Sequence, residues 1–219
     1  ELSRAKGDAR MSVGQIQEAL IKGRAPEVVS LVTAAIEQGV AASVLLNDGL
    51  CVGMTVIGEK VKKNEVFVPQ VLLAARAMKQ ATEVLKPHLV AAGVTPFATA
   101  VIGTIKGDLH DIGKNLVGMM LEGAGFRVVD AGISVAPEKF VSLAQEHEAK
   151  IVGVSALLTT TMVAMRSVVE AVRAAGLPAK VIIGGAPVTQ AFCDEIEADG
   201  YSPDAASAAE LAKRLVGVH

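Results

Sequence analysis

The chain has 219 residues, enough for one large domain or two modest ones with a proper core. Apolar residues make up 51% of it and aromatics only 3%, while 21 basic against 23 acidic residues leave a formal charge of −2. That composition excludes a disordered chain, and without clustered positive charge or an apolar run near the roughly 20 residues of a spanning helix, neither nucleic acid nor a membrane is an expected partner. Apolar residues then recur at helical spacing over Val13 to Ile21, Pro26 to Glu37, Val44 to Val61 and Pro69 to Leu85. Pro26 suits a first helical turn and Gly39 a residue just past a helix end. Four helices joined by short loops predict a small bundle over residues 1–92.

Ala91-Ala92-Gly93-Val94-Thr95-Pro96 reads as a linker into a different pattern. Strand-like runs at Ala98 to Ile102, Phe126 to Asp130, Ile151 to Ser155 and Val181 to Ile183 alternate with helical stretches at Ile112 to Glu122, Glu138 to His147, Met162 to Ala174 and Val188 to Ile196. A weaker strand near Gly200-Tyr201 and a helix from Asp204 to Leu215 complete five βα units. Strict βα alternation predicts a Rossmann-like, flavodoxin-type domain over 97–219 with a five-stranded parallel sheet, its ligand site at the carboxyl ends of the strands.

Three loops fall at that edge. Gly107-Asp108-Leu109-His110-Asp111-Ile112-Gly113 follows the first strand, Ser155-Ala156-Leu157 ends the third, and Gly184-Gly185 ends the fourth. In an extended loop residues i and i+2 point to the same side, so Asp108 can face the His110 ring and fix its tautomer. An imidazole backed by a carboxylate is a transition-metal ligand with its orienting partner supplied. Taken singly each loop has a plainer explanation. Asp108 or Asp111 can cap the helix that begins near Ile112, His110 can be a surface histidine, and Gly184-Gly185 a tight turn. Their convergence at one end of a sheet favours a ligand site.

Asp-x-His-x-x-Gly at Asp108, His110 and Gly113, Ser-x-Leu at Ser155 and Leu157, and Gly184-Gly185 resemble the signature of cobalamin-binding domains that hold the cofactor base-off and His-on. The gaps, 41 residues between Gly113 and Ser155 and 26 between Leu157 and Gly184, also fit that family. Val66-Phe67-Val68-Pro69-Gln70-Val71-Leu72-Leu73-Ala74-Ala75 is similar to the helical cap that precedes this domain in methionine synthase and in corrinoid methyl carriers, so the resemblance covers nearly the whole chain.

The resemblance implies that His110 replaces the dimethylbenzimidazole of cobalamin below cobalt, with Asp108 as its hydrogen-bond partner. The displaced nucleotide tail would enter a narrow slot between the sheet and its helices, where Gly113, Gly184 and Gly185 let backbone and cofactor approach, and Asp111 would be a further cofactor-binding residue. Ser155 would bond the displaced base, with Thr159 nearby, and Thr161, a serine position in methionine synthase, would complete a relay to Asp108. Loss of a methyl cation from cobalt would then release His110 with proton uptake. Val61 and Val68 match two cap positions over the upper face. The first is aromatic in methionine synthase and small here, as suits a carrier that presents its methyl to separate enzymes or, equally, a bundle core. The linker would serve as a hinge.

The function implied is that of a corrinoid protein in a multi-component methyltransferase system. It would carry a methyl group from a substrate-specific methyltransferase of methylamine, methanol, aryl methyl ether or betaine type to an acceptor methyltransferase that uses a thiol or folate, and a reductive activator would restore it. Such a subunit is expected to have no turnover of its own. A cobalamin-sensing regulator is the alternative. The Gly103 to Gly107 turn lacks the GxGxxG of a dinucleotide site, no Gly-Lys-Ser/Thr marks a P-loop, and Ser155 stands where a response regulator needs its aspartate. Cys51 and Cys193 form no CxxC pair and read as buried structural thiols of a cytoplasmic protein. The sequence opens at Glu1 with no charged segment leading into an apolar one, and removal of an upstream leader stays open.

Overall fold

A computed structural model describes the backbone of residues 2–92 and 96–218, and the side chains of 12–89, 91–92 and 96–218. The chain divides into two compact units on either side of the Thr95–Pro96 bond. The expected linker falls largely outside the described residues, at 93–95.

The first unit is helical: α1 (Leu2–Ile21), α2 (Ala25–Glu37), α3 (Ala42–Val44), α4 (Val52–Lys62) and α5 (Val68–Ala91). Between α3 and α4 the chain stays helical but takes π-type hydrogen bonding over Leu45–Cys51, so the helix expected from Val44 to Val61 carries a change of register. Asn47, Asp48 and Gly49, all weak helix formers, sit at its middle, and the freed Asp48 carbonyl accepts from the Gln17 amide of α1 at 2.5 Å. Glycine also lets this helix approach α1, since a Cβ on Gly53 would lie 2.6 Å from Leu20. Pro87 does not end α5 at Leu85 as expected. It removes one N–H, and the helix continues for a further turn. Ile16, Leu20, Val28, Val32, Leu50 and Ile57 are among the side chains that fill the core of this unit.

The second unit runs β1 (Thr99–Thr104), α6 (Ile112–Gly123), β2 (Arg127–Asp130), α7 (Pro137–Glu146), β3 (Ile151–Ser155), α8 (Thr159–Met162), α9 (Met165–Ala174), β4 (Lys180–Gly184), α10 (Gln190–Glu195), β5 (Gly200–Ser202) and α11 (Ala205–Leu215). All strand pairings are parallel, in the order β2-β1-β3-β4-β5. Alternate residues feed the two faces. Val101, Val152, Val154, Val181 and Ile183 pack with Phe140 of α7 and with Met165, Val168 and Val172 of α9, while Ile102 and Gly153 face the side of α6. Five buried alanines of α11 let that helix lie close to its neighbours, which a chain poor in aromatics needs. The strand order reverses between β1 and β3, where Thr104 and Ser155 are register partners at the ends of adjacent strands. The loops leaving these two residues therefore open the crevice in which ligands of such sheets bind. The helix expected over Met162 to Ala174 begins three residues later, as α9, because Val163 and Ala164 turn the chain between it and the short α8, which ends at Met162.

Cys193 is buried, with its thiol 3.6 Å from the Ala198 carbonyl, and burial pushes it above the usual thiol range. Cys51, expected to be buried, is half-exposed at the end of the π-type turn. Among the described residues no helix is long and apolar enough to cross a membrane.

Candidate cofactor site

Asp108 lies at the centre of the site and is fully buried. The loop that carries it closes on itself by an Asp108 N–H bond to the Ile105 carbonyl, 3.0 Å, with Gly107 in the left-handed region at φ +86°. One carboxylate oxygen, Oδ1, takes the His110 backbone N–H at 3.0 Å and lies 2.7 Å from His110 Nδ1. The other, Oδ2, accepts the Leu157 N–H at 2.8 Å, the Leu158 N–H at 3.3 Å and the Thr161 hydroxyl at 2.8 Å. A carboxylate spans the mouth of the crevice and ties the loop after β1 to the loop after β3.

Burial alone would raise the Asp108 pKa. The donors from Leu157, His110 and Thr161 outweigh it and hold the group well below the usual carboxylate range, so it stays ionised. An ionised carboxylate accepts only, so the Nδ1 it faces carries a proton, which in the neutral ring leaves the lone pair on Nε2. The His110 side chain is 52% exposed, which leaves that nitrogen accessible.

Asp111 occupies the N-cap position of α6, but neither its side chain nor that of Asp108 caps the helix. Its carboxylate instead accepts from the Asn115 amide at 3.1 Å. Gly113 is exposed, with open space where a Cβ would project. Ser155 is half-buried and its hydroxyl has no hydrogen-bond partner among the described residues. Thr159 opens α8 and is exposed. Leu157 reaches Asp108 through its backbone, while its side chain stays 45% exposed. Gly184, the last residue of β4, and Gly185 after it are required by the fold itself. A Cβ on Gly185, at φ +127°, would lie 1.8 Å from the Ala156 carbonyl oxygen, and one on Gly184 would lie 3.0 Å from that of Ser202. In the helical unit Val61 is half-buried near the end of α4, and Val68 opens α5 exposed.

Three polar residues of the site escaped the sequence reading. Thr104 is buried at the end of β1 and donates its hydroxyl to the His110 carbonyl at 2.8 Å. Ser134, left-handed at φ 50°, accepts the Gly107 N–H on its hydroxyl at 3.0 Å and gives its own N–H to the Asp108 carbonyl at 3.0 Å. Lys114 is 3% exposed and bonds Asp130 at the end of β2, 2.5 Å, and Asn115, 2.6 Å. Only Lys114 carried a sequence signal, a lysine in the first turn of a mostly apolar helix.

Residues 98–210 match the B12 binding domain family, and residues 13–86 match a second family of the same description. A corrinoid protein of Desulfitobacterium hafniense is 38% identical over 93% of this chain and 96% of its own length. Dimethylamine corrinoid protein 1 of Methanosarcina mazei is 38% identical over 92% of this chain and 94% of its own. Among solved structures, the methanol:cobalamin methyltransferase complex of Methanosarcina barkeri superposes with a TM-score of 0.82 and 32% identity, over 94% of this chain and 80% of that one. A cobalamin-binding protein of D. hafniense gives 0.79 and 33%, over 94% and 98%. The chain belongs to the B12-binding corrinoid protein family.

The cofactor of this corrinoid protein is a cobalamin, and the donor set fits one. Among the described residues no group of three or more His, Cys, Asp or Glu could hold a bare metal ion. One oriented imidazole suits a metal that arrives already ringed by four nitrogens. On the same edge the corrinoid protein exposes Leu109, Ile133, Leu157 and Leu158 on the loops that follow β1, β2 and β3, Ile112 at the start of α6 and Val163 between α8 and α9, all between 42% and 73% accessible. An apolar surface of this kind suits a flat macrocycle.

Proposed function

We propose that this corrinoid protein carries a methyl group from a substrate-specific methyltransferase to a second methyltransferase that passes it to a thiol or folate acceptor. The observation that carries the reading is the Asp108–His110 pair, 2.7 Å apart, which leaves an accessible Nε2 at the switch point of the sheet. The names of the relatives, dimethylamine and trimethylamine corrinoid proteins, and the methanol:cobalamin methyltransferase complex favour a methylamine or methanol donor over an aryl methyl ether or betaine. A reductive activator would return oxidised protein to use, and a cytoplasmic site of action suits such a partnership.

Bound here, the cobalamin would supply a cobalt that takes up and releases a methyl group as its oxidation state cycles. His110 would ligate it through Nε2 in place of the nucleotide base. Asp108 holds the ring orientation and keeps the proton on Nδ1. Thr161 fixes Asp108 Oδ2 and stands as the next group along a proton path from the ring. Gly113, beside the open start of α6, and the hydroxyls of Ser155 and Thr159, which have no hydrogen-bond partner among the described residues, would receive the displaced nucleotide tail. Val61 and Val68 are the two side chains we assign from the helical unit to the upper face.

The test mixes reduced holoprotein with the donor methyltransferases of its own organism, each with trimethylamine, dimethylamine, monomethylamine or methanol. The spectrum should turn to that of the methylated protein with one enzyme and substrate pair. No methylation with any pair, together with a change of oligomeric state on cofactor binding, would favour the regulatory alternative.

A further inference from the structure

The ligand loop is held by more than its own carboxylate. Thr104 is the last residue of β1 and fully buried, and its backbone is already committed. Its N–H bonds the Gly132 carbonyl at 3.0 Å and its carbonyl accepts from Val135 N–H at 2.8 Å. The backbone of the residue is therefore held between the end of β1 and the loop after β2, and its hydroxyl reaches the His110 carbonyl, 2.8 Å away and six residues along. The His110 N–H is meanwhile taken by Asp108 Oδ1 at 3.0 Å. Both peptide groups of His110 are thus pinned, one by the buried aspartate and one by the sheet.

We infer that Thr104 is a positioning residue for the axial ligand: its hydroxyl fixes the His110 backbone so that Nε2 stands ready for cobalt before the cofactor arrives. The inference rests on the reading of His110 as the ligand. The Asp108 carboxylate sets the distance from Nδ1, the tautomer and the His110 N–H, but it grips only the N-terminal side of the residue and leaves the peptide that follows His110 free to turn. Anchoring the His110 carbonyl to the end of a central strand removes that freedom. Ligand geometry is sensitive at this scale, and partners behind a metal ligand are worth roughly 10- to 100-fold in affinity. Valine is close in shape to threonine and lacks the hydroxyl, while serine keeps the donor, so the two substitutions separate the hydrogen bond from packing.

The experiment reconstitutes wild type, Thr104→Val, Thr104→Ser and His110→Ala with cobinamide, which has no nucleotide base of its own. It reads the nitrogen splitting in the cobalt(II) EPR spectrum and the cobinamide dissociation constant. The expected result is a single-nitrogen splitting in wild type and in Thr104→Ser, and a mixture of ligated and unligated cobalt in Thr104→Val with affinity weakened by roughly tenfold or more. A folded Thr104→Val protein with the wild-type spectrum and affinity overturns the role of Thr104 while leaving His110 as ligand. Wild type and His110→Ala with the same spectrum overturns both. If Thr104→Val does not fold, Thr104→Ser still decides, because a serine variant that loses axial nitrogen contradicts a role resting on the hydroxyl.

Discussion

Thr161 and Asp108 are 53 residues apart in the sequence, yet the threonine hydroxyl donates to Asp108 Oδ2 at 2.8 Å from the first turn after β3. The carboxylate that orients His110 is thereby fastened to a second loop of the sheet. The bond completes a line of groups running from the imidazole through a buried anion to a hydroxyl near the surface. Breaking its members one at a time has separable consequences.

Removing the anion should be costly even without cofactor. Asp108 accepts from Leu157 N–H, Leu158 N–H, His110 N–H and Thr161, and truncation strips the three backbone donors of this acceptor and leaves the Thr161 hydroxyl only the Leu158 carbonyl, 3.0 Å away. Asp108→Ala should lower the stability of the apoprotein by about 3 kcal/mol in urea denaturation. A loss below about 1 kcal/mol would show that water replaces the carboxylate freely.

Acid should act through the same group. The folded-state pKa of Asp108 is depressed by its donors, so the unfolded chain takes up the proton first as pH falls. The stability it contributes is complete above the unfolded value, about 3.9, and is lost as pH drops from there toward the folded value. Urea titrations from neutral pH to pH 3 should show the advantage of wild type over Asp108→Asn shrinking below about pH 4. A gap that stays constant over that range would contradict the assignment.

Thr161→Val tests the outer end of the line. Two backbone donors remain on Asp108 Oδ2, so the fold should survive with a loss of about 1 kcal/mol, and Thr161→Ser should match wild type. In the holoprotein the cobalt(II)/cobalt(I) potential should vary with pH in wild type and vary differently in Thr161→Val and in Asp108→Asn. Potentials independent of pH in all three would remove the proton path.

The glycines divide by what they face. Gly185→Ala would drive a Cβ onto the Ala156 carbonyl at φ +127°, and unfolding should become easier by about 3 kcal/mol or more. Gly113→Ala meets open space, so its thermal midpoint should stay within about 2 °C of wild type while corrinoid affinity falls. Unchanged affinity would place the cofactor away from the start of α6.

These contrasts mark where the sequence was legible. The i, i+2 spacing of Asp108 and His110 is a local signal, and the loop keeps the two groups within hydrogen-bond reach because so short a segment has few ways to part them. Strand alternation disclosed the sheet, since each βα unit carries its own periodicity. The grip of Leu157 and Leu158 on Asp108 was not legible, because every residue except proline has a backbone N–H and no side chain announces its use. Thr104 was hidden for a related reason: a β-branched residue at a strand end reads as sheet-former, and its hydroxyl partner is a backbone carbonyl six residues on that no side chain announces. The π-type turn at Leu45–Cys51 and the passage of α5 through Pro87 depend on tertiary packing that overrides local propensity. For Gly184 and Gly185 the family motif was readable, but the atoms that demand glycine belong to the protein itself.

The central claim is that His110, oriented by Asp108, ligates cobalt from below. Its most direct test is the cobalt(II) EPR spectrum of wild type and His110→Ala, each reconstituted with hydroxocobalamin and with tailless cobinamide. The account predicts splitting from one nitrogen in wild type with either corrinoid, and its loss in His110→Ala loaded with cobinamide. Identical spectra for the two proteins with cobinamide, or no stoichiometric cofactor uptake by wild type, would contradict it.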